Sequence, residues 1–254
     1  MHLSHRDERR PALHRSVLAR PQPVRGVIPM VLTRRAALAG GLSALAAPSV
    51  LRAAETARRE FRVTRGGSDI GSKVISARRS GERTEVEVSI RLAVKVLGIT
   101  AYRYELDAAE VWEAGLLQRL DGETNDDGDR EIARVRREGD RLIASGAYEG
   151  ELPSGAGTTS YWSTAFLDRG VWISTQTGSP LDVTAARDGS ERIDGPSGPV
   201  ECARWRITGD LPVTLLYDGR GEWLGNRFDA SGEPGMILAT SETGRLAPLW
   251  PAQA

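Results

Sequence analysis

The sequence predicts an all-β protein: one large, curved antiparallel sheet, as an open barrel or a sandwich of roughly ten or more strands, behind an N-terminal export-signal helix. Three observations carry this. From Phe61 onward hydrophobicity alternates with a period of two. Short apolar runs recur at about ten-residue spacing, separated by turn pairs such as Asp188-Gly189, Asp218-Gly219 and Ser231-Gly232. No stretch outside the signal keeps a helical period.

The leader comes first. Residues 1–29 carry His2, His5 and His14, four prolines and no apolar period. They read as a disordered leader, or as an upstream start ahead of an initiator at Met30. Residues 30–54 read as an export signal, which needs a positive front, a short apolar middle and small residues at the cut. Arg34 and Arg35 supply the charge, and residues 36–51 are rich in Ala, Gly and Leu with no charge until Arg52. A membrane span wants ~20 strongly apolar residues, so the segment reads as cleavable, near Ala46 or Ala54, with no transmembrane anchor left after cleavage. The paired arginines resemble a twin-arginine signal (Ser/Thr-Arg-Arg-x-Phe-Leu-Lys) at Thr33, Arg34, Arg35 and Leu38, with Ala37 in place of Phe and Ala39 in place of Lys. The resemblance implies the twin-arginine export machinery as partner and a periplasmic or secreted location. The competing reading, an ordinary Ala-rich helix, is opposed by Pro48. Residues 55–254 remain as a single β domain.

Within that domain Phe61-x-Val63 opens a strand, Gly66-Gly67-Ser68-Asp69 turns it, and residues 70–75 return. Val86, Val88, Ile90, Leu92, Val94 and Val96 then alternate with Glu85, Glu87, Ser89, Arg91, Ala93 and Lys95, giving one core face and one wet face. The pattern resumes as Tyr102, Tyr104, Leu106 and Ala108. A three-residue turn at Leu97-Gly98-Ile99 pairs Val94 with Tyr102, Leu92 with Tyr104 and Arg91 with Glu105, whereas a two-residue turn sets apolar residues against charges. Residues 121–130 are acidic, and 131–137 and 141–148 read as short strands. Residues 149–159 read as a Gly/Pro/Ser/Thr loop. Further strands are expected over 161–167, 171–177, 181–186, 203–208, 213–217, 222–228 and 236–240.

Composition excludes whole classes of function. Nine of the 34 basic and two of the 34 acidic residues precede Glu55, leaving 25 against 32 and a net charge of −7. Nucleic-acid binding wants the opposite sign. All three histidines lie in the leader. The domain therefore has no Ser-His-Asp or Cys-His machinery, no His general base and few zinc ligand sets. No cofactor or metal is implied. A serine nucleophile would need a lysine, and only Lys73 and Lys95 exist, with Lys95 on the wet face. Cys202 stands alone, so it is buried or free for an intermolecular bond.

Phe61-x-Val63, Ile70-Gly71, Tyr102-x-Tyr104, Glu110-x-Trp112, Thr124-x-Asp126-Asp127-Gly128, Gln176-Thr177-Gly178 and Tyr217-Asp218 together resemble a family of exported, β-rich bacterial proteins known only as a domain of unknown function. The layout is also similar to the curved sheets of periplasmic lipoprotein carriers. The resemblance implies fold and compartment and brings no activity.

Glu110 is the sharpest candidate. In the register above it falls on the core face before Trp112, where desolvation raises a carboxyl pKa and suits a general acid or a polar anchor. The plainer reading is a bulge at Ala108-Ala109, or an exposed strand end, that returns it to solvent. Tyr102, Tyr104, Glu110, Trp112, Tyr161, Trp162 and Trp172 form the candidate ligand cavity, with Trp205 and Trp223 as further aromatics; aromatics on strands are also ordinary core. Glu123-x-Asn125-x-Asp127-Gly128-Asp129 has the front of a calcium loop, but Arg134 stands where a bidentate Glu belongs. An acidic hairpin turn fits it better.

Three readings of function follow. The first is a non-catalytic carrier of a lipid or other apolar or amphipathic ligand. The second is an envelope interaction module, with the Leu246–Trp250 tail as a candidate surface. The third is a carboxylate-only hydrolase such as a glycosidase, with Glu110 as one of two acids. The missing catalytic motifs lean away from an enzyme.

Overall fold

The computed structural model describes residues 54–250. The leader, the signal with Arg34 and Arg35, and residues 251–254 lie outside them. Fifteen strands form one continuous curved sheet, which sets the sandwich alternative aside. In chain order they are β1 (Glu55–Arg65), β2 (Ser68–Ser80), β3 (Arg83–Val96), β4 (Ile99–Glu113), β5 (Leu116–Asp126), β6 (Asp129–Glu138), β7 (Arg141–Gly146), β8 (Gly150–Leu152), β9 (Gly157–Thr158), β10 (Val171–Ile173), β11 (Pro180–Gly195), β12 (Gly198–Gly209), β13 (Val213–Asp218), β14 (Trp223–Ala230) and β15 (Glu233–Thr243).

The order across the sheet is β8-β7-β6-β5-β4-β3-β2-β1-β15-β14-β13-β12-β11-β10-β9. Two arms of sequential strands, antiparallel except for the parallel β9–β10 pair at one edge, therefore meet where β1 pairs with β15. The two outermost strands, β8 and β9, are consecutive in sequence. The residues between them are held by arginines: Arg137 Nη2 donates to the Ser154 carbonyl (2.6 Å) and Arg169 Nη1 to the Ala156 carbonyl (2.7 Å).

Alternation decides which face is core. Ala57, Phe61 and Val63 on β1, Ile75 and Ala77 on β2, Val86 and Val88 on β3 and Leu106 and Ala108 on β4 are all buried, and the residues between them are charged or partly exposed. The β3–β4 hairpin has the expected register: Val94 faces Tyr102, Leu92 faces Tyr104 and Arg91 faces Glu105. It reaches that register by another route. The connection is a two-residue Leu97-Gly98 turn with both φ angles positive, 51° and 82°, and Val96 pairs with Ile99 and Lys95 with Thr100. Ala101 is then bulged out of the ladder. The bulge supplies the one-residue offset that a two-residue turn lacks, so the apolar set stays on one face. The predicted Arg91–Glu105 ion pair does not form; the guanidinium reaches diagonally to Asp107 (2.5 Å).

Residues 161–167 are not a strand. Tyr161, Trp162 and Ser163 are buried in succession, which a strand with one wet face cannot do, and Thr164–Phe166 form a 3-10 turn capped by the Ser163 hydroxyl. This stretch belongs to a long segment, residues 153–179, that carries the short edge strands β9 and β10 and otherwise packs against the inner face of the sheet. Its approach to β5 is close enough that a methyl group at Gly122 would overlap the Thr175 carbonyl oxygen. The acidic stretch 121–130 builds the β5–β6 hairpin, and Asn125 Oδ1 is spent on the Gly128 N–H (2.9 Å) at its turn.

The C-terminal tail is also packed inward. Leu246 and Leu249 are buried and Trp250 stacks on Trp112, Trp162 and Phe166. The tail is therefore not the exposed docking surface that its sequence suggested. Glu222 anchors it: its carboxylate accepts the Leu246 N–H (3.0 Å) and the Ala247 N–H (3.2 Å) and pairs with buried Arg59 (3.1 Å). Cys202 is fully buried, and burial pushes its thiol up to about 11.

Candidate functional site

Besides Arg59, which is paired with Glu222, the inner face of the sheet buries a carboxyl and an amine. Glu110 on β4 is 1% exposed and Lys73 on β2 is 2% exposed. Glu110 faces inward because β4 keeps its alternation from Ala108 through Trp112; the bulge in this region lies on the partner strand, where Gln118 of β5 is left unpaired. Lys73 occupies the inward row of β2, in phase with Ile75 and Ala77, and pairs with Ile90.

The Trp112 Nε1–H donates to Glu110 Oε2 at 2.8 Å and the Trp162 Nε1–H reaches the same oxygen at 3.4 Å. Oε1 has no hydrogen-bond partner among the described residues. Burial holds the carboxyl above its ordinary range, against the indoles and the nearby Thr158 and Ser160 hydroxyls, which pull it down. Those two hydroxyls bond to each other at 2.7 Å. Lys73 Nζ donates to the Ser160 carbonyl (3.3 Å) and lies over the rings of Trp223 (4.6 Å) and Tyr161 (5.0 Å). Burial lowers its ammonium to about 7, and the longer-range field of Glu110 opposes that fall.

Both groups thus hold residues 158–162 of the inner segment against the sheet. Tyr161 sits there with φ at 65°, a conformation a bulky residue keeps only when its surroundings enforce it. The Tyr217 hydroxyl does so in part, donating to the Tyr161 carbonyl at 2.8 Å.

Of the seven candidate cavity residues, Glu110, Trp112, Tyr161, Trp162 and Trp172 are buried together with Phe61, Phe166 and Trp223. Their rings touch one another: Phe61–Trp223 at 4.4 Å, Trp112–Phe166 at 5.2 Å and Tyr161–Trp172 at 5.8 Å. The inner segment itself fills the space between them. Tyr102 and Tyr104 stand apart. They are half-buried beside Ile90, Leu92 and Val94 and form an apolar wall on the inner face of the β3–β4 hairpin. The Tyr104 hydroxyl donates to Gln176 Oε1 (3.0 Å), whose amide in turn donates to Glu131. Beyond the wall, Leu97 is 98% and Ile99 74% exposed at the hairpin tip. Trp205, the further aromatic, packs half-buried against the core from β12.

Chemically, the interior offers a proton-exchanging amine and carboxyl, and an ammonium at the deep end of an apolar wall. It does not assemble a Ser–Lys nucleophile: Lys73 bonds the Ser160 carbonyl, while the Ser160 hydroxyl is paired with Thr158. No three His, Cys, Asp or Glu side chains converge among the described residues. Sequence reasoning named Lys73 only as a possible activator of a serine, and it did not single out Thr158 and Ser160 as parts of the site. The phase of Lys73 with Ile75 was a usable signal, whereas nothing local marked the two hydroxyls.

A search of the curated proteins finds no match. Among solved structures, the chain is similar to a protein from Brucella abortus described as a beta-barrel-like protein of domain of unknown function DUF1849. The TM-score is 0.51 at 9% identity, over 74% of this chain and 97% of that one. At this identity the likeness concerns the fold. Residues 61–234, most of the strands described above, match the family described as Domain of unknown function (DUF6134), and the chain belongs to that family.

Proposed function

We propose that this is an exported envelope protein that binds an apolar or amphipathic ligand along the inner face of its curved sheet, without covalent chemistry. One observation supports it most: the half-covered apolar wall of Ile90, Leu92, Val94, Tyr102 and Tyr104, which runs from the packed interior toward exposed Ile99. Soluble domains rarely leave a contiguous apolar face uncovered without a partner for it. Native mass spectrometry of the protein isolated from its own envelope tests this. Co-purifying lipid or fatty amphiphile is expected, and an adduct-free protein that also fails to take up such ligands counts against the reading.

Export by the twin-arginine route is part of the proposal and rests on Arg34 and Arg35. Replacing both with lysine should strand the precursor in the cytoplasm; unchanged periplasmic yield would remove that route. The exposed Leu97 and Ile99 favour a second reading, a protein-interaction module that docks through the hairpin tip. A pull-down lost with Leu97→Ser and Ile99→Ser, alongside an unliganded protein, would select it. The hydrolase reading gains nothing from Glu110, because the groups acting on it are indoles, hydroxyls and Lys73, with no second carboxylate among them.

A further inference from the structure

Lys73 is an unusual residue to find where it is. Burying an ammonium is costly unless it is paired and hydrogen-bonded, and here a single carbonyl at 3.3 Å and two ring faces serve it. An ammonium has three donors, so most of its hydrogen-bonding capacity is uncommitted. Glu110 acts on it only through space, with no contact between them. A structural lysine in this position would be replaceable by an apolar residue at a gain in stability.

Its position relative to the apolar wall is what gives it a use. Lys73 pairs with Ile90, so it lies level with the innermost residue of the wall. One step outward, Leu92 pairs with Tyr104, and the next inward-facing pair is Val94 with Tyr102. From Ile90 to Val94 the strand rises about 14 Å at ~3.4 Å per residue, and its inward residues over that length, Ile90, Leu92 and Val94, are apolar. A single buried cation thus stands level with the inner end of this apolar face, whose hairpin tip carries the exposed Leu97.

We propose that Lys73 is the head-group receptor of the site, and that the ligand is a single-chain amphiphile with a carboxylate head and a long hydrocarbon tail. The carboxylate replaces the Ser160 carbonyl as the partner of Lys73, the Tyr161 ring moves off the ammonium, and the tail runs along Leu92, Tyr104, Val94 and Tyr102 toward the hairpin tip. This rests on the ligand-binding reading above and narrows it to one ligand class.

The test compares oleate with oleyl alcohol, which has the same tail and no charge, by isothermal titration of the purified protein, for the wild type and for Lys73→Met and Lys73→Gln. A charge-assisted hydrogen bond to a buried cation is worth about tenfold or more in affinity. The wild type should therefore bind oleate at least about tenfold more tightly than the alcohol, and either variant should bind the two alike. Equal binding by the wild type, or a preference for oleate that survives both substitutions, overturns the role of Lys73 and leaves the apolar-ligand reading standing. If the wild type binds neither compound, the ligand-binding reading falls and takes this assignment with it.

Discussion

Replacing Lys73 with Met should change how stability depends on pH, and the direction follows from the site. In the unfolded chain Lys73 keeps its proton up to the ordinary 10.5, whereas in the folded protein burial lowers it to about 7. Between these values the unfolded state binds more protons, so the wild type gains stability as pH rises, at about 1.36 kcal/mol per unit once well above the folded value. Integrated from pH 7 to pH 9, where the first unit is only partly developed, the gain is about 2 kcal/mol. Methionine fills much the same volume without titrating, so the variant should lose this increment. Urea unfolding at pH 7 and pH 9 on both proteins measures it, and the difference between their two pH increments isolates Lys73 from every other group. Absolute stability is a poorer readout, because the substitution also removes the Ser160 hydrogen bond and the ring contacts. Two proteins with equal pH increments would refute the argument, and would mean that Lys73 is solvated or charged throughout.

Glu110→Gln should act with the opposite sign. The folded carboxyl sits above its ordinary range, so its contribution is complete below the unfolded value of 4.5 and is lost as pH rises through the folded one; denaturation curves across that acidic window should flatten in the variant, and the Lys73 titration should move lower because the raising field of Glu110 is gone. Gly122→Ala should cost about 1–3 kcal/mol by overpacking against the Thr175 carbonyl, and limited proteolysis should then cut within residues 153–179. Arg59→Ala leaves Glu222 without its buried partner and should destabilise by about 3–5 kcal/mol in urea unfolding. By contrast, Arg91→Ala removes an ion pair with Asp107 whose two sides are about half exposed, and should change stability by less than about 1 kcal/mol.

The β3–β4 hairpin was legible because burial on one face admits only one register, and any turn had to satisfy it. The turn itself was not legible: a two-residue turn plus a bulge at Ala101 and a three-residue turn give the same pairing, and hydrophobic pattern reports pairing alone. β5 escaped because Gly122 and Thr124, two of its inward positions, are not apolar. Gly122 is small for a reason set by Thr175, which lies far along the chain. In the inner segment the strand expected over 171–177 is present as β10, over Val171–Ile173, but residues 161–167 are not a strand, because their buried run obeys no period and is shaped by the space it fills. Glu110 was visible from its phase. Trp162 was grouped with it as a candidate cavity aromatic, but its bond to Glu110 and the part of Ser160 were not legible, since both come from a segment with no register to read.

Pairing across the sheet also sets the order in which it can be assembled. Thirteen of the ladders join strands that follow one another in sequence, and one, β1 with β15, joins Arg58 to Thr243. Apart from the parallel β9–β10 pair, each arm can therefore zip up from its own hairpins, with short loops to close and little entropy to lose at each step. The β1–β15 ladder must wait until nearly the whole chain is available. Until then Arg59 lacks Glu242, Glu222 has no tail to anchor, and the inner segment has only half a wall to pack against. A chain shortened before β15 would thus hold two locally ordered arms with nothing to fasten them, and synthesis of the last strand is the event that commits the protein to its fold.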